Sequence, residues 1–199
     1  MSQVVSIINT GVANIASVQS AFSKLGYKTR FVESPDEVFE NPAVILPGVG
    51  AFGAGMSALN AMEYVRPLRL RIESGKATLA VCLGMQLLCE SSEESPGIPG
   101  LGIIPHAVER FEEGTKTPHF GWNEISSRFT YFGSGYAYFA NSYRLAKPPE
   151  GWEVATCDHG GEFIAAIRRG NVVAAQFHPE ISGAYGRQIL TQWLEGVRW

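Results

Sequence analysis

The sequence predicts an α/β fold: a mostly parallel, doubly wound sheet flanked by helices, with antiparallel hairpin strands added by the C-terminal half. Two patterns carry this prediction. Through the first half, short apolar, β-branched runs alternate with amphipathic stretches at the pitch of βαβ units. In the second half, five strand-like runs follow one another closely across short turns, as antiparallel pairing requires. A length of 199 residues suits one domain spanning 1–199 and is enough to bury a substantial core.

VVSIIN (4–9) reads as the first strand, and TGVAN as the turn after it. Asn14 can cap a helix through about Leu25, with Ile15, Val18, Phe22 and Leu25 on one face and Gly26 as the stop. TRFVES (29–34) is a second strand, and AVILPG (43–48) a third that ends at Pro47-Gly48. A helical region is expected from about Phe52 to Ser74, broken near Met62 and strained at Pro67. TLAVC (78–82) is a fourth strand, and GMQLLCE a helix leaving it, with Cys89 inside that helix. SSEESPGIPGLG (91–102) reads as loop, and His106 falls in a loop-like stretch after it. GWNEI, YAYFANSYRLA, WEVATCDH, EFIAAIRRG and NVVAAQF then read as strands, turning at Gly160-Gly161 and at Gly170-Asn171. A closing helix from about Ser182 to Gly196 would bury Tyr185, Ile189, Leu190 and Trp193.

Composition narrows the function classes. A net charge of −3 without basic runs gives no reason to expect a nucleic acid or a membrane surface as partner. No apolar run approaches the roughly 20 residues of a membrane-spanning helix, and the N-terminus lacks the pattern of a signal peptide. Cys82, Cys89 and Cys157 show no CxxC spacing, so neither a disulfide framework nor a metal site is favoured. A reducing cytoplasm is the expected setting.

Cys82 stands where a strand meets Leu83-Gly84 and turns into a helix, the arrangement of a nucleophile elbow. The helix start behind it favours a thiolate, and backbone N–H groups there can hold an oxyanion. A lone cysteine on an apolar strand is more often core. What shifts the balance is QFHPEIS (176–182), where His178 and Glu180 follow an apolar strand at i, i+2 spacing. In extended chain those two share a side, so the carboxylate can orient the imidazole as the base of a Cys-His-Glu triad. LPGVGAFG (46–53) ends a neighbouring strand, and its glycines let backbone approach a ligand closely. His106 and His159 have no acid at that spacing and are expected at the surface, while Cys89 and Cys157 are expected in the core.

On these motifs the chain resembles the class I (triad) glutamine amidotransferases. VCLGMQLL and QFHPE carry the class; PGVGAFG and PHFGWN narrow it to the glutaminase subunits of imidazole glycerol phosphate synthase. The resemblance implies no cofactor and no metal. It implies L-glutamine as substrate, Cys82 as nucleophile, His178 as base and Glu180 as its orienting acid. It gives the oxyanion donors to Leu83 and to Gly48, Val49 and Gly50. It makes Gln86, Glu94, Asn141, Ser142 and Tyr143 substrate contacts, Glu94 by meeting the α-ammonium. Asn14, Trp122, Asn123 and Tyr138 match positions at the interface with a (β/α)₈ cyclase/synthase subunit, the partner in a heterodimer. Each also has a plainer reading: Asn14 as a helix cap, Trp122 and Tyr138 as core aromatics, and His119 of PHFGWN as structural or interfacial. The glycine-rich segment is expected to misplace an oxyanion donor until the liganded partner docks.

The sequence departs from the family pattern in three places. Gly11-Val12-Ala13-Asn14 stands where the family has Gly-x-Gly-Asn, Ala80 replaces a glycine two residues before the nucleophile, and Ile181 replaces a lysine that pairs with the partner. A glutaminase subunit of another ammonia-using synthase, or a silent scaffold for a barrel partner, are the other readings. PGVG and PHFGWN weigh against the first, and retention of the whole triad against the second.

Overall fold

The computed structural model describes residues 3–11 and 14–199. Val12 and Ala13 of the expected first turn lie outside the described residues. β1 (Val4–Ile7) leads to α1 (Ile15–Lys24), whose start is capped by Asn14: its Oδ1 accepts from the Ser17 N–H at 3.3 Å. β2 (Lys28–Phe31) is followed by a helix absent from the sequence expectations, α2 (Pro35–Glu40). Its signals are local: Ser34 Oγ accepts from the Glu37 N–H at 3.3 Å, and Pro35 takes the first helical position, where no N–H is missed.

After β3 (Val44–Leu46) the expected break at Met62 divides α3 (Phe52–Ala61) from α4 (Val65–Glu73), with Glu63 at a φ of 60° in the corner. Pro67 is the third residue of α4. Its absent N–H falls in the first turn, where no intrahelical partner exists, so the expected strain does not arise. β4 (Thr78–Val81) runs into α5 (Leu83–Leu87), which stops after five residues. Cys89 therefore lies in a strand, β5 (Cys89–Ser92), and not in a helix; the chain is diverted because Leu87 and Leu88 carbonyls accept from Leu101, Ile103 and Ile104. His106 likewise belongs to a strand, β6 (Ile104–Arg110), paired parallel to β5.

β7 (His119–Ile125) and β8 (Gly135–Asn141) form an antiparallel ribbon, and β9 (Tyr143–Arg144) is a short strand against β6. β10 (Glu153–Asp158) and β11 (Glu162–Arg169) are joined at Gly160-Gly161, with φ of 62° and 117°. Gly170, at φ 60°, turns the chain into β12 (Val172–Ala175). A 3₁₀ turn (Pro179–Ile181) precedes α6 (Gly183–Glu195), which buries Tyr185, Ile189, Leu190 and Trp193 as expected.

The main sheet has the order β10-β11-β12-β4-β3-β1-β2, parallel from β12 to β2 and antiparallel from β10 to β12. Alternate residues of the central strands feed two cores. Leu79 and Val81 join Val18, Phe22 and Trp193 on one face. Ala80 joins Met56, Leu68 and Leu83 on the other.

One buried charge ties the lower edge of the sheet together. Arg71, fully buried, donates to the carbonyls of Val38, Phe39, Asn41, Pro42 and Ala77 and to Thr78 Oγ1, over distances of 2.6–3.2 Å. It thus satisfies carbonyls at the end of α2 and the starts of β3 and β4. Burial pulls its pKa down to about 10, which leaves it charged at neutral pH.

Candidate active site

Three neighbouring parallel strands, β3, β4 and β12, end at one edge of the sheet, and each delivers part of one site. β4 delivers Cys82, β12 delivers the segment from Gln176 through Glu180, and β3 delivers Gly48–Gly50. Adjacent strands lie about 5 Å apart, which brings residues just past their ends within side-chain reach. The open carboxyl edge is also where α/β sheets bind ligands.

Cys82 has φ 52° and ψ −109°, a conformation that costs a non-glycine residue on the order of 1–3 kcal/mol. It persists because both sides hold it: Cys82 N–H donates to the Ala175 carbonyl at 2.7 Å, and the Gln86 N–H closes the first turn of α5 on the Cys82 carbonyl. Gly84 makes the bend possible, since a Cβ there would collide with the Leu46 carbonyl oxygen.

His178 sits behind the thiol. Its Nδ1–H donates to Glu180 Oε1 at 2.8 Å, which fixes the tautomer and leaves Nε2 for Cys82. Both side chains are buried, 8% and 5% exposed, so water screens the pair little. Burial alone lowers the His178 pKa. The neighbouring Cys82 sulfur, and the hydrogen bond and charge of Glu180, outweigh burial and push it up to about 10. Ser182, which no sequence motif singles out, fixes the backbone of this segment: its Oγ donates to the His178 carbonyl at 2.6 Å and accepts from the Tyr138 N–H at 2.9 Å. The His178 N–H in turn donates to the Tyr138 carbonyl.

In front of Cys82 lies a cleft of about 310 Å³. All five residues expected to contact substrate line it: Gln86, Glu94, Asn141, Ser142 and Tyr143. Glu94 Oε2 accepts from the Phe52 N–H at the start of α3, which directly follows the glycine-rich segment. Gln86 Nε2 donates to the Tyr143 carbonyl at 3.2 Å and to Gln176 Oε1 at 2.9 Å, so its remaining acceptor, Oε1, is what it can offer a ligand. Asn141 Nδ2 donates to the same Tyr143 carbonyl, and its Oδ1 is buried without a partner.

Val49, Gly50 and Leu83 border the cleft, whereas Gly48 is buried behind them. The Gly48 carbonyl accepts from the Leu83 N–H at 3.3 Å. That peptide unit presents its oxygen to the donor an oxyanion needs, and the Val49 N–H, on its opposite side, points away. Gly50, at φ 98°, permits this path.

The residues expected at a partner interface divide between two faces. Trp122 and Tyr138 are directly opposed on the outer face of the β7–β8 ribbon, ring centroids 6.0 Å apart, beside the 70% exposed Phe120. Trp122 is 56% exposed, which corrects its plainer reading as core. A Cβ on Gly183 would meet Trp122 at 3.6 Å, so this aromatic face adjoins the turn bearing Glu180 and the exposed Ile181. Asn123 is on the inner face, donating to the Asp158 carbonyl at 2.8 Å and to His119 Nε2 at 3.2 Å. Asn14 caps α1. His119 is buried between His159 and Phe139, ring centroids 3.9 and 4.5 Å away, so His159 is half-buried in a stack and not a free surface residue. Cys89 and Cys157 are buried, and burial pushes each thiol up to about 12.

Among the described residues no cluster of metal-ligating side chains occurs, and no helix is long and apolar enough to cross a membrane.

Comparison with known proteins agrees with this geometry. Residues 6–196 match the family model for glutamine amidotransferase class-I. The chain is 39% identical over 98% of its length to imidazole glycerol phosphate synthase subunit HisH of Moorella thermoacetica, covering 95% of that protein. It is 42% identical to the HisH subunit of Syntrophotalea carbinolica, over 92% of this chain and 96% of that one. It also matches imidazole glycerol phosphate synthase hisHF of Emericella nidulans at 40% identity over 98% of its own length, but spans only 38% of that longer protein. A crystal structure of a glutamine amidotransferase, 23% identical, superposes with a TM-score of 0.78 over 96% of this chain and 97% of that one, a likeness of fold. The chain belongs to the class I glutamine amidotransferase family.

Proposed function

We propose that this chain, as one functional domain, is the glutaminase subunit of an imidazole glycerol phosphate synthase. It hydrolyses L-glutamine to glutamate and ammonia and delivers the ammonia to a (β/α)₈ synthase subunit in the cytoplasm, as a step of histidine biosynthesis. The observation that carries the reading is the convergence of Cys82, His178–Glu180 and the Gly48–Gly50 segment at the ends of three adjacent strands, with Cys82, Val49 and Gly50 bordering one cleft and the His178–Glu180 pair behind the thiol. Near-full-length identity of about 40% to HisH subunits supports the choice among synthases.

The chemistry follows from the polarity of each group. Glutamine enters with its α-ammonium toward the free oxygen of Glu94, Gln86 Oε1 and the unpartnered Asn141 Oδ1, which leaves its carboxamide near Cys82. The Cys82 thiolate attacks the carboxamide carbon, and the C=O becomes an oxyanion. His178, carrying the proton it shares with the thiol, gives it to the departing nitrogen, so ammonia leaves and a γ-glutamyl thioester remains. His178 then takes a proton from water, which attacks the thioester; glutamate leaves and the thiolate returns. Glu180 holds the imidazole in the required tautomer and stabilises its charged form.

Leu83 N–H is one oxyanion donor, but it is held by the Gly48 carbonyl. Rotating the Gly48–Val49 peptide by about half a turn frees Leu83 and brings the Val49 N–H toward the oxyanion. This conformation supports a subunit that idles alone and is switched on by docking of the liganded partner. The face formed by the exposed Phe120 and Trp122 and the half-buried Tyr138, continuous with the turn at Ile181, suits that docking. Ile181 replaces the family's lysine, so contact there is apolar and without a salt bridge.

The test is glutamine hydrolysis by the chain alone, and by the chain with a co-purified synthase subunit and its nucleotide ligand. Hydrolysis that is slow alone and rises at least about tenfold in the complex is expected. Equal rates would sink the gating, and no binding of the barrel subunit would sink the assignment to this synthase.

A further inference from the structure

We infer that Gln176 is a second hydrogen-bond donor to the Cys82 sulfur, held in its donating orientation by Gln86 and the Tyr143 carbonyl. The inference rests on Cys82 being the nucleophile and adds to the triad a group that the chemistry above does not use. Gln176 is fully buried at the end of an apolar strand. A side-chain amide in that position needs polar partners.

The sheet register puts it beside the thiol. Ala175 of β12 pairs with Val81 of β4, so the next residues on the two strands, Gln176 and Cys82, stand side by side. Gln176 Nε2 lies 3.6 Å from Cys82 Sγ, within reach of an N–H···S bond. Gln176 Oε1 lies 2.9 Å from Gln86 Nε2, and Gln86 Nε2 lies 3.2 Å from the Tyr143 carbonyl oxygen.

The direction of this chain of bonds is set at its far end. A backbone carbonyl can only accept, so Gln86 must turn its NH₂ toward Tyr143. The same NH₂ faces Gln176, which must therefore turn its oxygen to Gln86 and its NH₂ to the sulfur. A flipped Gln176 would set two NH₂ groups against each other and bring its oxygen against a developing thiolate. The donor therefore faces Cys82 before any substrate arrives.

Such a donor favours sulfur when it carries negative charge, as the attacking thiolate and again as the group expelled when the thioester is hydrolysed. It disfavours nothing in the acyl form, where the sulfur is a poor acceptor. Because Tyr143 belongs to the stretch that borders the cleft, the same chain links the pocket wall to the reacting atom.

The test is alkylation of Cys82 by iodoacetamide, followed by mass spectrometry, in the whole chain. Cys82→Ser supplies the blank, since the other two thiols are buried and held protonated. Gln176→Met keeps length and removes the donor. Its alkylation at pH 7 is expected to fall at least about tenfold, the worth of one hydrogen bond to a charged group. The deficit is expected to close by about pH 10, where thiolate forms without help. An unchanged rate at pH 7, or an equal loss at both pH values, overturns the inference. Gln86→Leu leaves Gln176 in place but unlocked, and serves if Gln176→Met does not fold. A roughly threefold loss at pH 7 that closes at high pH supports the relay, and no loss overturns it. Alkylation that depends on Gln176 in a chain that hydrolyses no glutamine with its partner would sink the glutaminase reading and leave this contact standing. Alkylation indifferent to Gln176 in an active glutaminase sinks only the inference.

Discussion

Glu180→Gln changes one charge in the site and almost nothing in its shape. The amide oxygen of this variant can still accept from His178 Nδ1–H across the 2.8 Å that separates the wild-type pair, so the tautomer is kept. What is lost is the charge beside the imidazolium. A hydrogen bond to a charged acceptor is worth about 1 kcal/mol more than one to a neutral amide, which sets the lower bound. Treating the pair as unit charges about 4 Å apart in an effective dielectric of about 20 gives ~4 kcal/mol, which sets the upper bound. Both side chains are nearly excluded from water, so solvent screening does not reduce this much. Between those bounds the turnover number of the assembled enzyme should fall by about 5- to 10³-fold. Glu180 does not line the glutamine cleft, so KM should change little. Steady-state ammonia release over a range of glutamine concentrations separates the two parameters. A raised KM with unchanged kcat, or a kcat within about twofold of wild type, would refute the role given to Glu180.

Other perturbations test the frame around the site. Arg71→Met removes the donors to five carbonyls, those of Val38 and Ala77 buried, and to Thr78 Oγ1, and should cost about 3–5 kcal/mol in urea unfolding; a loss under about 1 kcal/mol would show that water replaces the guanidinium. Burial, with the neighbouring His159, pulls the His119 pKa down to about 4 from an ordinary value of 6.5. The unfolded chain then binds more protons than the folded one below pH 6.5, so stability falls as pH drops from 6.5 through about 4. His119→Phe keeps the stack and should flatten that slope, which urea midpoints at pH 7 and pH 4.5 would reveal. His178 has the opposite sign: its pKa is raised to about 10, so its stabilising contribution is whole below 6.5 and is lost as pH rises through about 10. The stability margin of wild type over His178→Gln should accordingly shrink between pH 6 and pH 10.

The fold is legible in the sequence where the pattern is local. The βαβ alternation places β1 through β4, and Gly160-Gly161 and Gly170-Asn171 mark the two hairpin turns that carry β10, β11 and β12. α2 has its signals in plain view, Ser34 three residues before Glu37 and Pro35 at the helix start, but it is too short to show an apolar stripe. The diversion of Cys89 into β5 is not legible, because hydrogen bonds from residues 101–104 decide it. Arg71 cannot be separated from Arg66 and Arg69 as a surface charge. Only its place on the Leu68–Ile72 stripe of α4 hints at burial. In the site, Cys82, His178 and Glu180 are legible from residue types, but the extended chain expected to bring the last two together is not how they meet. Only His178 is extended, and Glu180 lies in the 3₁₀ turn Pro179–Ile181, which returns its carboxylate to the imidazole. Gln176 and Ser182 are not legible, since both act through pairing with β4 and β8 that no local spacing encodes. The interface residues are legible only as a set: the strand alternation of β7 separates Trp122 from Asn123, one out to solvent and the other in toward His119.

Ammonia release from L-glutamine by the complex of this chain with its synthase subunit, measured side by side for wild type and Cys82→Ser, tests the reading at its centre. Wild type should turn over glutamine, and Cys82→Ser should fall to background while keeping its fold and its hold on the partner. A Cys82→Ser complex that retained a substantial fraction of wild-type turnover would contradict hydrolysis through a thioester at Cys82.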